Sequence, residues 1–93
     1  MSQKRQKYNI VISKYQTSQY IQSNCGDITF YNASTVGNIF VNDFTLVPGQ
    51  SIGFSANFNE IDTTQYNIIF DTKGGSSETD TNRELVVIRK IFV

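Results

Sequence analysis

Residues 39–58 read IFVNDFTLVPGQSIGFSANF. Two apolar runs flank Asn42-Asp43, a pair that tolerates the positive φ a tight primed hairpin turn demands. Pro48-Gly49 follows. Pro fixes φ at the first central position of a type II turn, and Gly accepts positive φ at the second. Beyond it Ile52, Phe54, Ala56 and Phe58 alternate with Ser51, Gly53, Ser55 and Asn57, the period-2 pattern of a strand with one wet face. The stretch therefore predicts strand, tight turn, strand, corner and strand, laid side by side as a β-meander.

The same reasoning extends to both ends. Residues 8–13 (YNIVIS) alternate, with Tyr8, Ile10 and Ile12 on one face and Val11 on the other. Residues 14–24 hold no helical stripe, and their Thr, Tyr and Ile content points to an irregular strand or loop. Cys25-Gly26-Asp27 reads as a turn. Residues 28–32 (ITFYN) form a strand with Ile28 and Phe30 inward, and 33–37 a loop. Residues 59–65 make a polar corner. Residues 65–71 (QYNIIFD) set Tyr66, Ile68 and Phe70 against Asn67, Ile69 and Asp71. Residues 72–83 (TKGGSSETDTNR) contain nothing to bury and read as a long exposed hairpin loop. Residues 84–93 (ELVVIRKIFV) are apolar on both faces, Leu85, Val87 and Ile91 opposing Val86, Ile88 and Phe92. Such a strand needs the middle of a sheet or a subunit contact, because left open it is an aggregation site. About seven short strands at spacings near ten residues predict an all-β fold, a small antiparallel β-sandwich or barrel. The expected organisation is a polar N-terminal arm over residues 1–7 and one β domain over 8–93.

Composition narrows the function. A chain of 93 residues makes one small domain with a thin core. Small domains add disulfides, a metal or a partner subunit. One cysteine, Cys25, rules out an intrachain disulfide, and the absence of histidine speaks against a zinc site. Association with other subunits remains. Eight basic residues balance eight acidic ones, which lacks the basic footprint of a nucleic-acid binder and favours association. No apolar run reaches the length that spans a bilayer. The basic start MSQKRQKYN lacks the apolar region of a secretory signal, so synthesis and assembly in a cytoplasm are expected.

No catalytic constellation emerges. Cys25 has no histidine base and reads as a small buried thiol. Glu60 and Asp62 match no calcium-loop spacing. Asp43, Glu60, Asp62 and Asp71 offer carboxylate pairs, but acid-base work needs an enclosing pocket to raise one of them. Gly74-Gly75 lacks the Lys-Ser/Thr of a phosphate loop, and Asn32-Ala33-Ser34 matches the glycosylation pattern without a secretory context. The expectation is a non-enzymatic protein with no cofactor, metal or small-molecule substrate. Two roles stay open. One is a structural subunit packed in many copies, with candidate interface residues Lys4, Arg5 and Lys7 on the arm and Val86, Ile88, Lys90 and Phe92 on the last strand. The other is a small carbohydrate- or protein-binding module, for which Tyr15, Tyr20 and Tyr31 are the candidate exposed aromatics.

The run NIFVNDFTLVPGQSIGFSANFNEIDTTQYNIIFD, residues 38–71, resembles small virion proteins of tailed bacteriophages in its strand, Asn-Asp turn, strand, Leu-x-Pro-Gly turn and further strand. The resemblance implies a capsid decoration (auxiliary) or small tail protein of the virion. It would pack against copies of itself and other virion structural proteins, without enzymatic activity, nucleic acid or membrane.

Overall fold

The structure, a computed structural model, describes residues 7–57, 60–71 and 83–92. Among them there are eight strands and no helix: β1 Tyr8–Tyr15, β2 Gln19–Gln22, β3 Asp27–Asn32, β4 Ile39–Val41, β5 Phe44–Leu46, β6 Ser51–Ser55, β7 Gln65–Phe70 and β8 Leu85–Phe92. They form two four-stranded antiparallel sheets, ordered β1-β8-β3-β6 and β2-β7-β4-β5. The fold is thus all-β as expected, and of the two forms anticipated it is the sandwich, with eight strands where about seven were expected.

The pairs β4·β5, β3·β6, β2·β7 and β1·β8 are those of one long hairpin of eight segments. Its tip is the Asn42-Asp43 turn, and the ribbon is rolled until β8 also meets β3 and β7 also meets β4. That is the eight-stranded jelly roll. The tip carries the expected geometry, with φ of 46° at Asn42 and 69° at Asp43. The Asn42 side-chain oxygen also accepts the Asn67 amide at 2.8 Å, while its own amide donates to the Asn67 carbonyl at 2.9 Å. The turn is thereby fastened to β7.

The meander is corrected. After Pro48-Gly49 the chain does not return beside β5 but crosses to the other sheet and pairs with β3. The turn itself is as expected, with Gly49 at φ 86° and the Gln50 amide donating to the Val47 carbonyl at 3.0 Å. Asn32 redirects the chain. Its carbonyl accepts the Gly49 amide at 2.8 Å, and its amide donates to the Gln50 carbonyl at 3.0 Å. The corner is therefore captured by the end of β3. The hairpin expected over 72–83 is corrected for a related reason: β7 and β8 lie in different sheets and do not pair with each other. Residues 72–82 lie outside the described set. Arg83, read as loop, is buried (5% exposed). A Cβ on Gly37 would lie 3.5 Å from its Nε.

The core between the sheets is built from Ile28, Phe30, Leu85 and Val87 of the first sheet and Ile21, Ile39, Val41, Leu46, Tyr66, Ile68 and Phe70 of the second. Phe30 meets Tyr66 edge-on, with ring centroids 4.9 Å apart, a favoured aromatic geometry. Cys25 is buried at the end of this core, as expected. It pairs with Asp62 in an isolated bridge.

Candidate functional site: the outer face of the first sheet

Directly opposed residues of antiparallel strands share a face. Since Leu85 and Val87 point into the core, Val86, Ile88 and Lys90 point outward on β8. Their cross-strand partners do the same. On β1 these are Lys14, Ile12 and Ile10, and on β3 Tyr31, Thr29 and Asp27. Tyr8 lies opposite Phe92. The outer face therefore carries a strip of Ile10, Ile12, Val86, Ile88 and Tyr31. Ile10 is 53% exposed and Ile12 60%. Val86 and Ile88 are half-buried.

One end of the strip is polar. The Lys90 ammonium lies 3.4 Å from the Asp27 carboxylate and 4.4 Å from the centroid of the Tyr8 ring. Both are surface contacts, of the kind worth about 1 kcal/mol or less. They fix the Lys90 side chain over the β1–β8–β3 junction and give the apolar strip a charged boundary.

β1 is also an edge. Among the described residues it pairs only with β8, leaving one side of an eight-residue strand with its backbone groups unpaired. Native edges are blunted by shortness, charge, Pro or bulges. The other three edges follow that rule. β2 has four residues, including Gln19 and Gln22, and β5 has three. β6 turns Ser51, Gly53 and Ser55 outward, since these oppose Tyr31, Thr29 and Asp27. β1 carries Ile10, Val11 and Ile12 in succession, all exposed.

The candidate residues read from sequence divide accordingly. Val86, Ile88 and Lys90 lie together on the outer face. The Phe92 backbone pairs with Tyr8 at the end of the same sheet. Lys7 is exposed just before β1. Lys4 and Arg5 lie outside the described residues. Sequence reasoning missed Tyr8, Ile10, Ile12 and Tyr31 as members of the face. The alternation in YNIVIS was the available signal, but it reports only that three apolar residues share a face. Asn9 and Ser13 on the other side made the isoleucine face look like the buried one.

The three tyrosines proposed as a binding platform separate. Tyr31 is on the outer face of the first sheet, Tyr20 opposes Asn67 on the outer face of the second, and Tyr15 packs against the core. Tyr8, Phe44 and Phe54, not among those candidates, are exposed as well.

The second cluster of reactive side chains closes the far end of the sandwich. The Asp62 carboxylate accepts the Thr64 amide at 2.9 Å, the Thr64 hydroxyl at 2.5 Å and the Tyr66 hydroxyl at 2.8 Å. Ser23 Oγ donates to the Asp62 carbonyl at 2.5 Å. Burial pushes the Asp62 carboxyl up, but the hydrogen bonds from Thr64, Tyr66 and Ser23 together outweigh it and hold it below the usual carboxylate range. Tyr66 is pushed up to about 12, first by burial and then by the carboxylate that accepts its proton. Burial likewise raises the Cys25 thiol. These directions move all three groups away from exchanging protons or attacking a substrate near neutral pH. Their arrangement fastens the 60–66 corner to β2 and the Cys25 bridge. Among the described residues no group of His, Cys, Asp or Glu could hold a metal ion, and no helix is long and apolar enough to cross a membrane.

No family model, curated protein or solved structure matches this chain.

Proposed function

We propose that this protein is a non-enzymatic virion structural subunit, present in many copies. In this reading it decorates or completes a capsid or tail by packing its outer β1–β8–β3 face against other subunits. The observation that carries the reading is the apolar strip of Ile10, Ile12, Val86 and Ile88 beside a long unblunted edge strand. A contiguous apolar face on a small domain marks a protein contact. The jelly roll adds support by analogy only, since the same strand order serves viral capsid proteins, lectin domains and cupins. The sequence resemblance of residues 38–71 to small phage virion proteins points the same way.

Several small contacts of this kind would add through multivalency on a lattice. In this reading the arm over residues 1–7 supplies a second contact. The test is fractionation of a lysate producing the tailed particle, followed by quantification of this chain across a density gradient. The expected result is co-sedimentation with particles at a fixed copy number. Recovery wholly in the slow-sedimenting protein fraction would overturn the proposal.

A further inference from the structure

We infer that β1 is a self-recognition strand: two copies of this chain pair their β1 edges antiparallel about a two-fold axis at Val11. The first sheets then join into one eight-stranded sheet. This rests on the structural-subunit reading and names the first partner of its β1 edge.

The argument begins with what can cover β1. The segments outside the described residues, 1–6 (MSQKRQ), 58–59 (FN), 72–82 (TKGGSSETDTN) and Val93, offer almost no apolar side chains, and the two longest contribute only Met1. Neither long segment can bury Ile10 and Ile12. A second copy of the chain, by contrast, brings the same isoleucines to the same edge.

The pattern of β1 itself selects a second copy. A two-fold axis perpendicular to a sheet joins like face to like face and sets residue i opposite a residue of the same parity. Centred on Val11, it places Ile10 of each copy opposite Ile12 of the other. Tyr8 falls opposite Lys14, and Lys7 opposite Tyr15. The outer-face side chains of β1, Tyr8, Ile10, Ile12 and Lys14, then read as their own complement. Apolar meets apolar in the middle, aromatic meets ammonium at both ends, and no lysine faces a lysine. Centring on Ile12 instead would set Ile10 opposite Lys14 twice. Centring on Ile10 would leave Lys14 beyond the paired segment.

Other features of the chain permit this union. The formal net charge is zero, so two copies do not repel as whole bodies. Val11 itself is 38% exposed, so the axis position is open in the single chain. Pairing by strand addition satisfies the free backbone groups of β1, and alternate side chains set the register. The joined sheet carries a continuous strip of Tyr31, Val86, Ile88, Ile12 and Ile10 from both copies, a wider apolar face than one chain presents to the next subunit.

The test is the mass of the purified full chain by light scattering across micromolar concentrations, with three designed variants. The wild type is expected at twice 10.5 kDa. Ile10→Glu with Ile12→Glu sets carboxylate against carboxylate twice and should raise the dimer dissociation constant at least tenfold. It should leave the circular dichroism of the monomer unchanged, since both residues are on the surface. Ile10→Glu with Ile12→Lys sets opposite charges together twice in this register and should restore the dimer, whereas centring on residue 12 would set the two introduced lysines against each other. Val11→Cys should form an intermolecular disulfide on mild oxidation, because paired Cα atoms at about 4.5–5.5 Å fall within disulfide reach. Val47→Cys, exposed on the other sheet, should not, and Cys25 is buried. A wild type that stays at 10.5 kDa, a double-glutamate variant that stays dimeric, or a Glu/Lys variant that stays monomeric would overturn the inference. Particle co-sedimentation separates the two proposals. A chain that is monomeric yet fixed in particles refutes self-pairing alone, and a dimer absent from particles refutes the virion role alone.

Discussion

Replacing Asn32 with alanine should remove a large part of the stability of this domain. Asn32 is fully buried at the end of β3. Its Nδ2 donates to the Leu46 carbonyl at 2.8 Å and the Gly37 carbonyl at 3.1 Å, and its Oδ1 accepts the Ser34 amide at 3.0 Å. Ser34 and Gly37 belong to the β3–β4 connection, and Leu46 is the end of β5. One side chain thus joins the β3–β4 and β5–β6 crossings. Truncation leaves a buried amide and a buried carbonyl unpaired, each costing about 1–2 kcal/mol, while the partly buried Gly37 carbonyl regains water at about half that cost. The total is about 2.5–5 kcal/mol against about 5–14 kcal/mol for a chain of this length. In urea, with a slope near 1.5 kcal/mol/M, the midpoint should fall by about 2 M. Asn32→Asp should be worse at neutral pH, because a carboxylate would face two carbonyl oxygens. Its folded-state pKa would be raised above the unfolded value of about 3.9, so stability should recover as pH falls through the raised value and decline as pH rises through it. Equilibrium unfolding by circular dichroism at pH 7 and pH 4.5 reads both effects. An Asn32→Ala midpoint within about 0.3 M of wild type would refute the claim that this side chain holds the crossings together.

Other expectations follow from single contacts. Tyr66, with its pKa pushed up to about 12, stabilises the fold fully below its unfolded value near 10 and loses that contribution as pH rises through 12. Tyr66→Phe should cost about 1–2 kcal/mol at pH 7 and flatten the decline in melting temperature between pH 10 and 12. Asp62, held low, should contribute above its unfolded value near 4 and lose that contribution as pH falls through the lower folded value. Asp62→Asn should therefore reduce the acid dependence of the melting temperature. Gly49→Ala meets no atom within 4 Å but forces alanine to φ +86°. It should cost about 1–2 kcal/mol from the backbone alone, read as a lower urea midpoint with an unchanged slope. Amide hydrogen exchange should show the β1 amides that face away from β8 gaining protection as protein concentration rises, while β8 amides are protected throughout. Equal, concentration-independent protection along β1 would contradict the edge pairing.

The sequence was informative wherever a residue acts on its own backbone. Asn42-Asp43 and Pro48-Gly49 set their turns through φ preferences, and alternation marked nearly every strand, because both signals are local. It was silent wherever a segment had two acceptable neighbours. Residues 51–55 alternate equally well beside β5 or beside β3. The choice was made by Asn32, whose backbone captures the Gly49–Gln50 corner and whose residue type gave no warning of burial. Arg83 was similarly hidden by the polar run before it. For the candidate site, the two-faced apolarity of residues 84–93 predicted a central strand, and β8 is one. The exposure of Ile10 and Ile12 was not legible, because period 2 identifies a face without saying which side of it the second sheet covers.

The placement of the polar clusters explains why β1, and not another strand, is left with an open edge. Asn32, Ser34 and Glu84 close one end of the sandwich through Ser34 Oγ, which accepts the Glu84 amide at 3.0 Å. Ser23, Asp62 and Tyr66 close the other end. Between them these clusters hold segments leading into or out of β2, β3, β4, β5, β6, β7 and β8. β1 takes part in neither. It is held by its ladder to β8, by the packing of Tyr15, and by the Lys90–Tyr8 contact. A strand secured on one side only, carrying three successive exposed apolar residues, is a hazard that the other edges avoid by shortness or polarity. Keeping such a strand in a small domain makes physical sense when the exposed side is a contact, because then the same isoleucines that would drive aggregation are shielded by a defined partner.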